Sequence, residues 1–234
     1  MKKLFLTGGT SGIGYSILEK FSHNNWKVYS TFNKNKFQKN LLKKKFLNSE
    51  FIKLDLYSNK SIDKATSEIS EKLDAVILNA SDTMFVPKEK FKKLTPFHFE
   101  KYVNINLISQ YRVIYNLIPK LNKNSNIILI SSIASKNGIG SNVAYSASKA
   151  ALNNLAKSLT NILGEKTQIN CIAPGLMKTK FTSKFSEKYF NDYKLKTPSK
   201  KLTVPKNVAE VAMSLCLNFK NFSGQTLFID GGSS

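Results

Sequence analysis

The residues best suited to proton transfer are Tyr145 and Lys149, which stand four positions apart in a stretch typical of a helix. Side chains at this spacing lie on one face of a helix, so the lysine ammonium can approach the phenol. A neighbouring cation favours the phenolate and lowers a tyrosine pKa, which is about 10 when unperturbed. Tyr145 is therefore a candidate general acid or base, and Ser132 is a candidate hydrogen-bond donor to the same substrate oxygen.

The same residues also fit an ordinary interpretation. A tyrosine and a lysine at helical spacing are most often a solvated pair on a surface helix. Two serines after a strand, here Ser131 and Ser132, are most often a turn or an N-cap. The rest of the chain has to decide between the two interpretations.

Two stretches of the chain would position these side chains. Residues 127–130 form a short β-branched run typical of a buried strand, followed by a glycine-containing loop and the helix of Tyr145. Near the N-terminus, a strand at 4–7 leads into the turn T-G-G-T-S-G-I-G at 7–14, then a helix and a second strand at 26–31. Glycines in this setting let backbone N–H groups approach a pyrophosphate at a helix N-terminus. We expect dinucleotide binding there, although a lone glycine-rich turn is often only a turn.

Composition narrows the class of protein. With 234 residues and 41% hydrophobic content, the chain is expected to form one domain. The formal net charge of +21 suggests nucleic acid as a partner, but Arg112 is the only arginine and the lysines are spread along the chain. We therefore expect no nucleic-acid partner and interpret most lysines as solvated. Cys171 and Cys216 show neither disulfide nor metal-ligand spacing, and no stretch is long and apolar enough to span a membrane. The expectation is a cytoplasmic protein with no metal and no membrane partner.

Further motifs follow in order along the chain. They are Asn79-Ala80, Asn106, Pro174-Gly175 with Thr179, and S-G-Q followed by D-G-G at 223–232. Together with the glycine turn, Ser132 and the Y-x-x-x-K pair, they resemble the short-chain dehydrogenases/reductases over nearly the whole chain. The resemblance implies an α/β fold with a Rossmann-type, doubly wound parallel sheet of about seven strands, in a single three-layer αβα domain over residues 1–234.

The resemblance also implies a reaction and a role for each candidate catalytic residue. The reaction is hydride transfer between a nicotinamide and a carbonyl or secondary alcohol, with Tyr145 as general acid or base. Ser132 steadies the reacting oxygen, and Lys149 lowers the tyrosine pKa and binds the nicotinamide ribose. Asn106 kinks its helix and holds a water that links the lysine to solvent.

The cofactor-binding residues are assigned by the same resemblance. They are Gly8, Thr10, Ser11, Gly12, Ile13, Gly14, Asn33, Lys34, Asp55, Leu56, Asn79, Ala80, Ser81, Tyr145, Lys149, Pro174, Gly175 and Thr179. No acidic residue follows the second strand, where it would bind a ribose 2′-OH and repel a 2′-phosphate. Asn33 and Lys34 are placed to hold a 2′-phosphate, so NADP(H) is favoured over NAD(H), unless Lys34 is only a surface charge. Asp55 has an alternative as a turn residue, and Ser81 replaces the glycine usual in the family.

The substrate is left open by the sequence. Residues 181–203, rich in aromatic side chains, correspond in the resemblance to a substrate lid, or else are an ordinary amphipathic helix. The nearest likeness is to 3-oxoacyl-acyl-carrier-protein reductases, which makes a small-molecule or carrier-linked carbonyl compound the expected substrate. Lys123 and Lys166 are then candidate contacts to an acidic carrier protein. Enoyl reductases of the family space the tyrosine and lysine more widely than Tyr145 and Lys149.

Two further alternatives remain. A reductase of a sugar or another small ketone would use the same residues, and a nucleotide-bound regulatory protein would keep the fold without chemistry. The resemblance implies a homotetramer, or a dimer, formed through the helices near 97–117 and 145–163 and through the C-terminal strand.

Overall fold

The computed structural model describes residues 1–179, 182–183 and 185–234, without the side chain of Phe37. Its strands are β1 (Lys3–Leu6), β2 (Lys27–Phe32), β3 (Ser49–Lys53), β4 (Leu73–Leu78), β5 (Leu121–Ile130), β6 (Thr167–Pro174) and β7 (Thr226–Ile229). In the described residues they form one seven-stranded sheet in the order β3-β2-β1-β4-β5-β6-β7. Every neighbouring pair is parallel, which confirms the predicted doubly wound sheet.

Helices cover both faces of this sheet. They are α1 (Gly12–His23), α2 (Lys36–Lys45), α3 (Asn59–Ser67), α4 (Pro96–Val103), α5 (Ser109–Leu117), α6 (Ala134–Asn137), α7 (Val143–Leu163), α8 (Glu187–Lys196) and α9 (Pro205–Leu217). Short 3-10 turns lie at Lys88–Lys93 and Ile118–Lys120. None of the helices in the described ranges is both long and apolar enough to cross a bilayer.

Alternation along the strands produces two hydrophobic layers. Leu4 and Leu6 of β1 face the layer beneath α1, α2 and α9, whereas Phe5 faces the layer beneath α3, α5 and α7. All three side chains are fully buried. A parallel sheet with both faces covered requires strands that are apolar where they are buried, which is why residues 75–78 of β4 and 127–130 of β5 are continuous runs of Ala, Val, Ile and Leu.

The predicted long helix near 97–117 is present but irregular. It consists of α4 and α5 joined by a π-helical segment, Asn104–Ile108, at whose centre Asn106 is fully buried. A π segment inside an α-helix inserts an extra residue into the turn and bends the helix. The kink implied for Asn106 is therefore a feature of the backbone.

The chain order creates a crevice at one edge of the sheet. Starting at β1, the chain runs outward through β2 to β3 and then returns to place β4 on the other side of β1. Loops that leave the carboxyl ends of β1 and β4 diverge at this point, where open α/β sheets bind their ligands. Both the glycine turn after β1 and residues 79–81 after β4 lie at this crevice.

Candidate active site

The glycine turn is held in shape by contacts with neighbouring strands. Gly8 has a φ of +70°, and its N–H donates to Thr31 Oγ1 of β2 at 3.0 Å. The N–H of Gly9 donates to the Thr31 carbonyl at 3.2 Å. A Cβ on Gly14 would lie 2.0 Å from the Gly8 carbonyl oxygen, so the first turn of α1 packs directly on the preceding loop. Larger residues at these positions would push the helix away from the crevice.

The N-terminus of α1 suits the phosphates of a dinucleotide. The N-cap residue, Ser11, makes no side-chain hydrogen bond to the first turn of the helix. Gly12, at φ +54°, has nothing within 4 Å of where a Cβ would stand. Uncapped N–H groups, a positive helix end and an open approach are what an anion requires. Thr10, Ser11 and Ile13 border the same opening and are partly or fully exposed.

Thr7 joins the glycine turn to the end of β4. Its Oγ1 accepts hydrogen bonds from the N–H groups of Asn79 and Ala80 at 2.9 and 3.0 Å. In return, Asn79 Nδ2 donates to the carbonyls of Thr7 and Gly8 at 3.1 and 3.2 Å. These bonds fix the two loops at the switch point relative to each other. Ser81, in place of the expected glycine, is half-buried.

Two predicted adenosine contacts lie at the ends of β2 and β3. Asn33 and Lys34 follow β2 directly and are exposed, and no hydrogen bond or ion pair to the described residues engages their side chains. Asp55 follows β3, and its Oδ1 accepts from the Tyr57 N–H at 3.1 Å. That bond is the turn interpretation of Asp55, while its second carboxylate oxygen is left for a ligand. Leu56 is buried, and its carbonyl accepts from Ser109 Oγ at 2.7 Å.

Ser132, Tyr145 and Lys149 meet at the carboxyl end of β5. Tyr145 and Lys149 lie on the buried side of α7, at 9% and 3% exposure, so the solvated-pair interpretation is wrong. Lys149 Nζ lies 5.6 Å from the centre of the Tyr145 ring and donates to the Ile130 carbonyl at 2.7 Å. Ser132 accepts from the Ala134 N–H at 3.2 Å and is hydrogen-bonded to the Tyr145 side chain.

Burial dominates the electrostatics of these two groups. It raises the pKa of Tyr145, and the hydrogen bond with Ser132 opposes that shift. It lowers the pKa of Lys149 to about 8, and the nearby Cys171 opposes that shift. The sequence led us to expect a lowered tyrosine pKa, so the direction is a correction. The free-energy cost of burying a phenolate here exceeds the stabilisation that Lys149 could give it, because the Lys149 ammonium points at a backbone carbonyl.

Asn106 holds a loop rather than a neighbouring helix. Its Oδ1 accepts from the Asp82 N–H at 3.1 Å, and its Nδ2 donates to the Asp82 carbonyl at 2.9 Å. Asp82 also accepts a 2.5 Å hydrogen bond from the Tyr57 hydroxyl, and this bond together with burial raises the Tyr57 pKa. The amide of Asn106 is thus engaged by the loop that follows residues 79–81.

Pro174, Gly175 and Thr179 line the next loop along the edge. The Pro174 carbonyl accepts from the Ile133 N–H at 2.9 Å, which ties this loop to the one carrying Ser132. A Cβ on Gly175 would lie 3.0 Å from Asp230 Cα, so glycine permits the close approach of β7. Thr179 is half-buried, and its N–H donates to Thr182 Oγ1 at 3.0 Å.

The chain is similar to known proteins over nearly its whole length. A family model described as enoyl-(acyl carrier protein) reductase matches residues 8–234. A 3-oxoacyl-[acyl-carrier-protein] reductase FabG of Buchnera aphidicola is 30% identical over 234 residues, which are 97% of this chain and 95% of the relative. The FabG of Aquifex aeolicus is 28% identical over 239 residues, with 99% and 96% coverage. The chain belongs to the short-chain dehydrogenase/reductase family.

Solved structures share the fold of this chain. A Brucella melitensis protein titled short-chain dehydrogenase/reductase SDR:glucose/ribitol dehydrogenase superposes with a TM-score of 0.92 at 24% identity, covering 100% of this chain and 96% of the other. A Pseudomonas aeruginosa RhlG/NADP complex superposes with a TM-score of 0.89 at 25% identity, with 99% and 96% coverage. The protein is an oxidoreductase of a family that binds a nicotinamide cofactor.

The candidate lid of this short-chain dehydrogenase/reductase is described in part. Phe181, named in the lid segment, lies outside the described residues. Phe185 packs edge-on against Phe85 of the loop after β4, with ring centres 5.2 Å apart, and lies tilted against the Tyr189 ring at 4.7 Å. Phe190 of α8 is buried. Within the described part, α8 is therefore attached to the molecule by an aromatic cluster.

Two lysines lie far from where the carrier hypothesis needs them. Lys123 is near the start of β5 and Lys166 directly precedes β6, so both are at the amino edge of the sheet. Ser132 lies beyond the other end of β5, and residues 125–130, the part of the strand that pairs regularly with β6, alone span roughly 20 Å. Within one chain, these lysines do not border the candidate site of this short-chain dehydrogenase/reductase.

Three residues that hold the site together were not singled out from the sequence. Thr7 directly follows β1 and Thr31 is the next-to-last residue of β2, and a polar β-branched residue near the end of a buried strand beside the glycine turn is a usable signal. Asn142, three residues before Tyr145, is buried and accepts from the Tyr145 N–H at 2.9 Å. An asparagine directly before a helical pattern signals an N-cap, although the pattern does not reveal its other contacts.

Proposed function

We propose that this protein is an NADP(H)-dependent ketoreductase in which Tyr145 is the general acid or base. The observation that carries the proposal is the meeting of Ser132, Tyr145 and Lys149 in a buried cluster at the edge of the sheet where the glycine turn lies. Proton transfer to a substrate oxygen requires such groups beside the cofactor cleft.

The electrostatics support a division of roles. A bound nicotinamide would supply or accept the hydride. Because burial raises the pKa of Tyr145, the phenol is protonated near neutral pH, as a group that gives a proton to a carbonyl oxygen must be. The Ser132 hydroxyl would donate to the same oxygen. These groups are thus suited to give a proton and a hydrogen bond to a carbonyl oxygen.

Lys149 and Asn106 would complete the site. A lysine whose pKa is lowered to about 8 is a good donor to ribose hydroxyls and can exchange its proton near neutral pH. Both polar atoms of the Asn106 side chain bind Asp82, so a water link to solvent would use the main chain of the π segment. We propose the cofactor-binding residues assigned above, from Gly8 to Thr179, as one continuous site along this edge.

NADP(H) is proposed over NAD(H) on the chemistry of residues 33–36. This exposed stretch reads Asn-Lys-Asn-Lys and contains no carboxylate that would repel a 2′-phosphate. Lys34 directly follows Asn33 at the end of β2 and carries a charge of the required sign. The NADP complex of RhlG, a structural neighbour, agrees with this choice.

A 3-oxoacyl thioester is the proposed substrate. The two relatives named above are 3-oxoacyl-[acyl-carrier-protein] reductases, and this chain covers nearly all of their length. We propose residues 181–203 as the lid; its described aromatic side chains offer an apolar wall to an acyl chain. A carrier-linked substrate is proposed on the relatives' names alone.

An enoyl thioester is the second candidate, because the matching family model is described by enoyl reduction. The four-residue spacing of Tyr145 and Lys149 counts against it, as does the adjacent Ser132. Reduction of a sugar or of another small ketone, and a regulatory role without turnover, are decided by the same experiment.

We also propose that the protein is a homotetramer or a dimer. Large apolar side chains on α5 and α7 face outward, with Tyr115 at 64% and Ile162 at 75% exposure in the isolated chain. Tyr111 and Tyr115 lie side by side on α5, with ring centres 6.3 Å apart, and exposed apolar groups that adjoin in this way usually mark a contact surface. The mass of the protein in solution, measured by light scattering, tests this assembly.

The deciding experiment follows oxidation of NADPH and NADH by the purified protein with acetoacetyl, crotonyl and keto-sugar substrates. We expect turnover with NADPH and the acetoacetyl thioester, and a loss of roughly 10³-fold in kcat in Tyr145→Phe with NADPH binding largely intact. Equal turnover in Tyr145→Phe would contradict the assignment of Tyr145. Crotonyl reduction alone would favour the enoyl activity, and cofactor binding without any turnover would favour a regulatory protein.

A further inference from the structure

A short loop connects two of the proposed active-site elements. It consists of residues 82–86, which follow the Asn79-Ala80-Ser81 segment after β4, and is called here the 82–86 loop. At its first residue, the backbone of Asp82 is held on both sides by the buried amide of Asn106. Asp82 Oδ1 in turn accepts from the Thr83 N–H at 2.8 Å, which fixes the direction in which the loop leaves the π segment.

The other end of the 82–86 loop is bonded to the start of α7. Asn142 Nδ2 donates to the Met84 carbonyl at 2.7 Å and to Thr83 Oγ1 at 2.8 Å. Thr83 Oγ1 also lies 2.7 Å from Ser141 Oγ, and the Val86 N–H donates to the Ser141 carbonyl at 2.8 Å. Four hydrogen bonds thus join Thr83, Met84 and Val86 of the loop to two residues of the helix entrance.

Asn142 is used more fully than an N-cap requires. A cap needs one side-chain oxygen, which serine, threonine or aspartate supplies equally well. Asn142 gives that oxygen to the Tyr145 N–H at 2.9 Å and uses its amide nitrogen for both loop contacts. Asn142 is only 8% exposed, so removing these partners would leave a buried donor without an acceptor. The folded protein would then be less stable.

We infer that Asn142 is a positioning residue that orients Tyr145 against the 82–86 loop. Its side chain joins the first turn of α7, which carries Tyr145, to the loop that Asn106 holds from the other side. The relative position of two proposed active-site residues is therefore set through one buried amide. This inference rests on the proposed function for its catalytic consequence.

The same loop reaches the candidate lid. Phe85 contacts Phe185 with ring centres 5.2 Å apart, so the lid packs on the loop that Asn142 holds. Loss of the Asn142 amide should therefore loosen the lid contact as well as the orientation of Tyr145. A positional change of about 1 Å at a reacting group can cost up to about 100-fold in rate.

The test is Asn142→Ser, which keeps a cap oxygen and removes the amide donor. We expect kcat for the acetoacetyl thioester to fall roughly tenfold, while the NADPH dissociation constant and the melting temperature stay close to those of the wild type. Hydrogen–deuterium exchange of residues 82–86 should become faster, because the loop loses its bonds to Asn142. The Asn142→Ala variant should have both a lower kcat and a lower melting temperature, because it also removes the N-cap oxygen.

The matched control is Thr95→Ala, which removes the exposed N-cap of α4, where Thr95 Oγ1 accepts from the His98 N–H at 3.4 Å. It should leave kcat within about twofold and exchange at 82–86 unchanged, because Thr95 caps a different helix from the one that carries Tyr145. Unchanged kcat in Asn142→Ser, or unchanged exchange at 82–86, would overturn the inference. If the wild type reduces no ketone, the proposed function fails, and the exchange measurement alone decides whether Asn142 holds the loop.

Discussion

The two edges of the sheet place lysine in opposite electrostatic environments. At the amino edge, Lys27 of β2 contacts Glu50 and Glu71, each at 2.8 Å, and these hydrogen bonds raise its pKa. At the carboxyl edge, Lys149 is 3% exposed and forms no ion pair with a described carboxylate, and burial lowers its pKa to about 8. The charge of Lys27 at the amino edge is neutralised by two carboxylates, whereas the charge of Lys149 at the carboxyl edge is desolvated without such a partner among the described residues.

The difference separates structural from chemical lysines. Pairing fixes Lys27 in the charged state over the whole physiological range, so it can stabilise the edge but cannot exchange protons. A lysine with a pKa of about 8 changes state near neutral pH, which is a property of functional sites. In a chain of net charge +21, the number of lysines says little, and their surroundings distinguish them.

Lys149→Met should produce the largest effect. We expect kcat to fall roughly 10³-fold, because the proposed donor to the ribose and partner of Tyr145 is lost. The free energy of unfolding at pH 7 should instead rise by about 1–3 kcal/mol, because methionine removes a buried, unpaired charge. Steady-state kinetics and urea unfolding at pH 7 measure the two effects.

The pH dependence of stability sharpens the same prediction. The native pKa of Lys149 is about 8 and the unfolded value about 10.4, so the unfolded chain binds more protons between these limits. As the pH rises from about 8 to about 10, the free energy of unfolding of the wild type should therefore increase relative to that of Lys149→Met. A variant that is less stable than the wild type at pH 7, with a parallel pH profile, would contradict the buried-charge argument.

Lys27→Met should have a smaller effect of the opposite kind. We expect the free energy of unfolding to fall by roughly 1 kcal/mol, because the variant leaves Glu50 and Glu71 without their shared cation. The kcat should remain within about twofold of the wild type. The loss of stability should be smaller in high salt, where partly exposed ion pairs are screened. A large fall in kcat would contradict the contrast between the two edges.

Glu71→Gln should give the smallest effect, visible only in acid. Hydrogen bonds from Lys27, Tyr29 and Lys3 lower the pKa of Glu71 to about 2. The carboxylate therefore contributes stability above about pH 4.5, and that contribution is lost as the pH falls toward 2. The melting temperature of the variant should depend less on pH over this range than that of the wild type. Identical pH profiles would show that Glu71 adds no stability through its contacts with Lys27, Tyr29 and Lys3.

Several features of this protein follow from short-range patterns. Apolar runs bounded by turn residues locate the strands, and the βαβ context of residues 7–14 locates the phosphate end of the cofactor cleft. The i, i+4 spacing places Tyr145 and Lys149 on one helix face. These features depend on backbone geometry within one or two elements, which neighbouring residues specify directly.

Tertiary structure decided the features that depend on distant neighbours. The direction of the Tyr145 pKa shift follows from desolvation by segments remote in sequence, and the spacing alone predicted the opposite sign. The place of Lys123 at the far edge follows from strand direction, and the contacts of Asn142 with residues 83 and 84 cross nearly sixty positions of sequence. Burial and long-range hydrogen bonding are properties of the assembled fold, because each depends on which surfaces the packed layers remove from water.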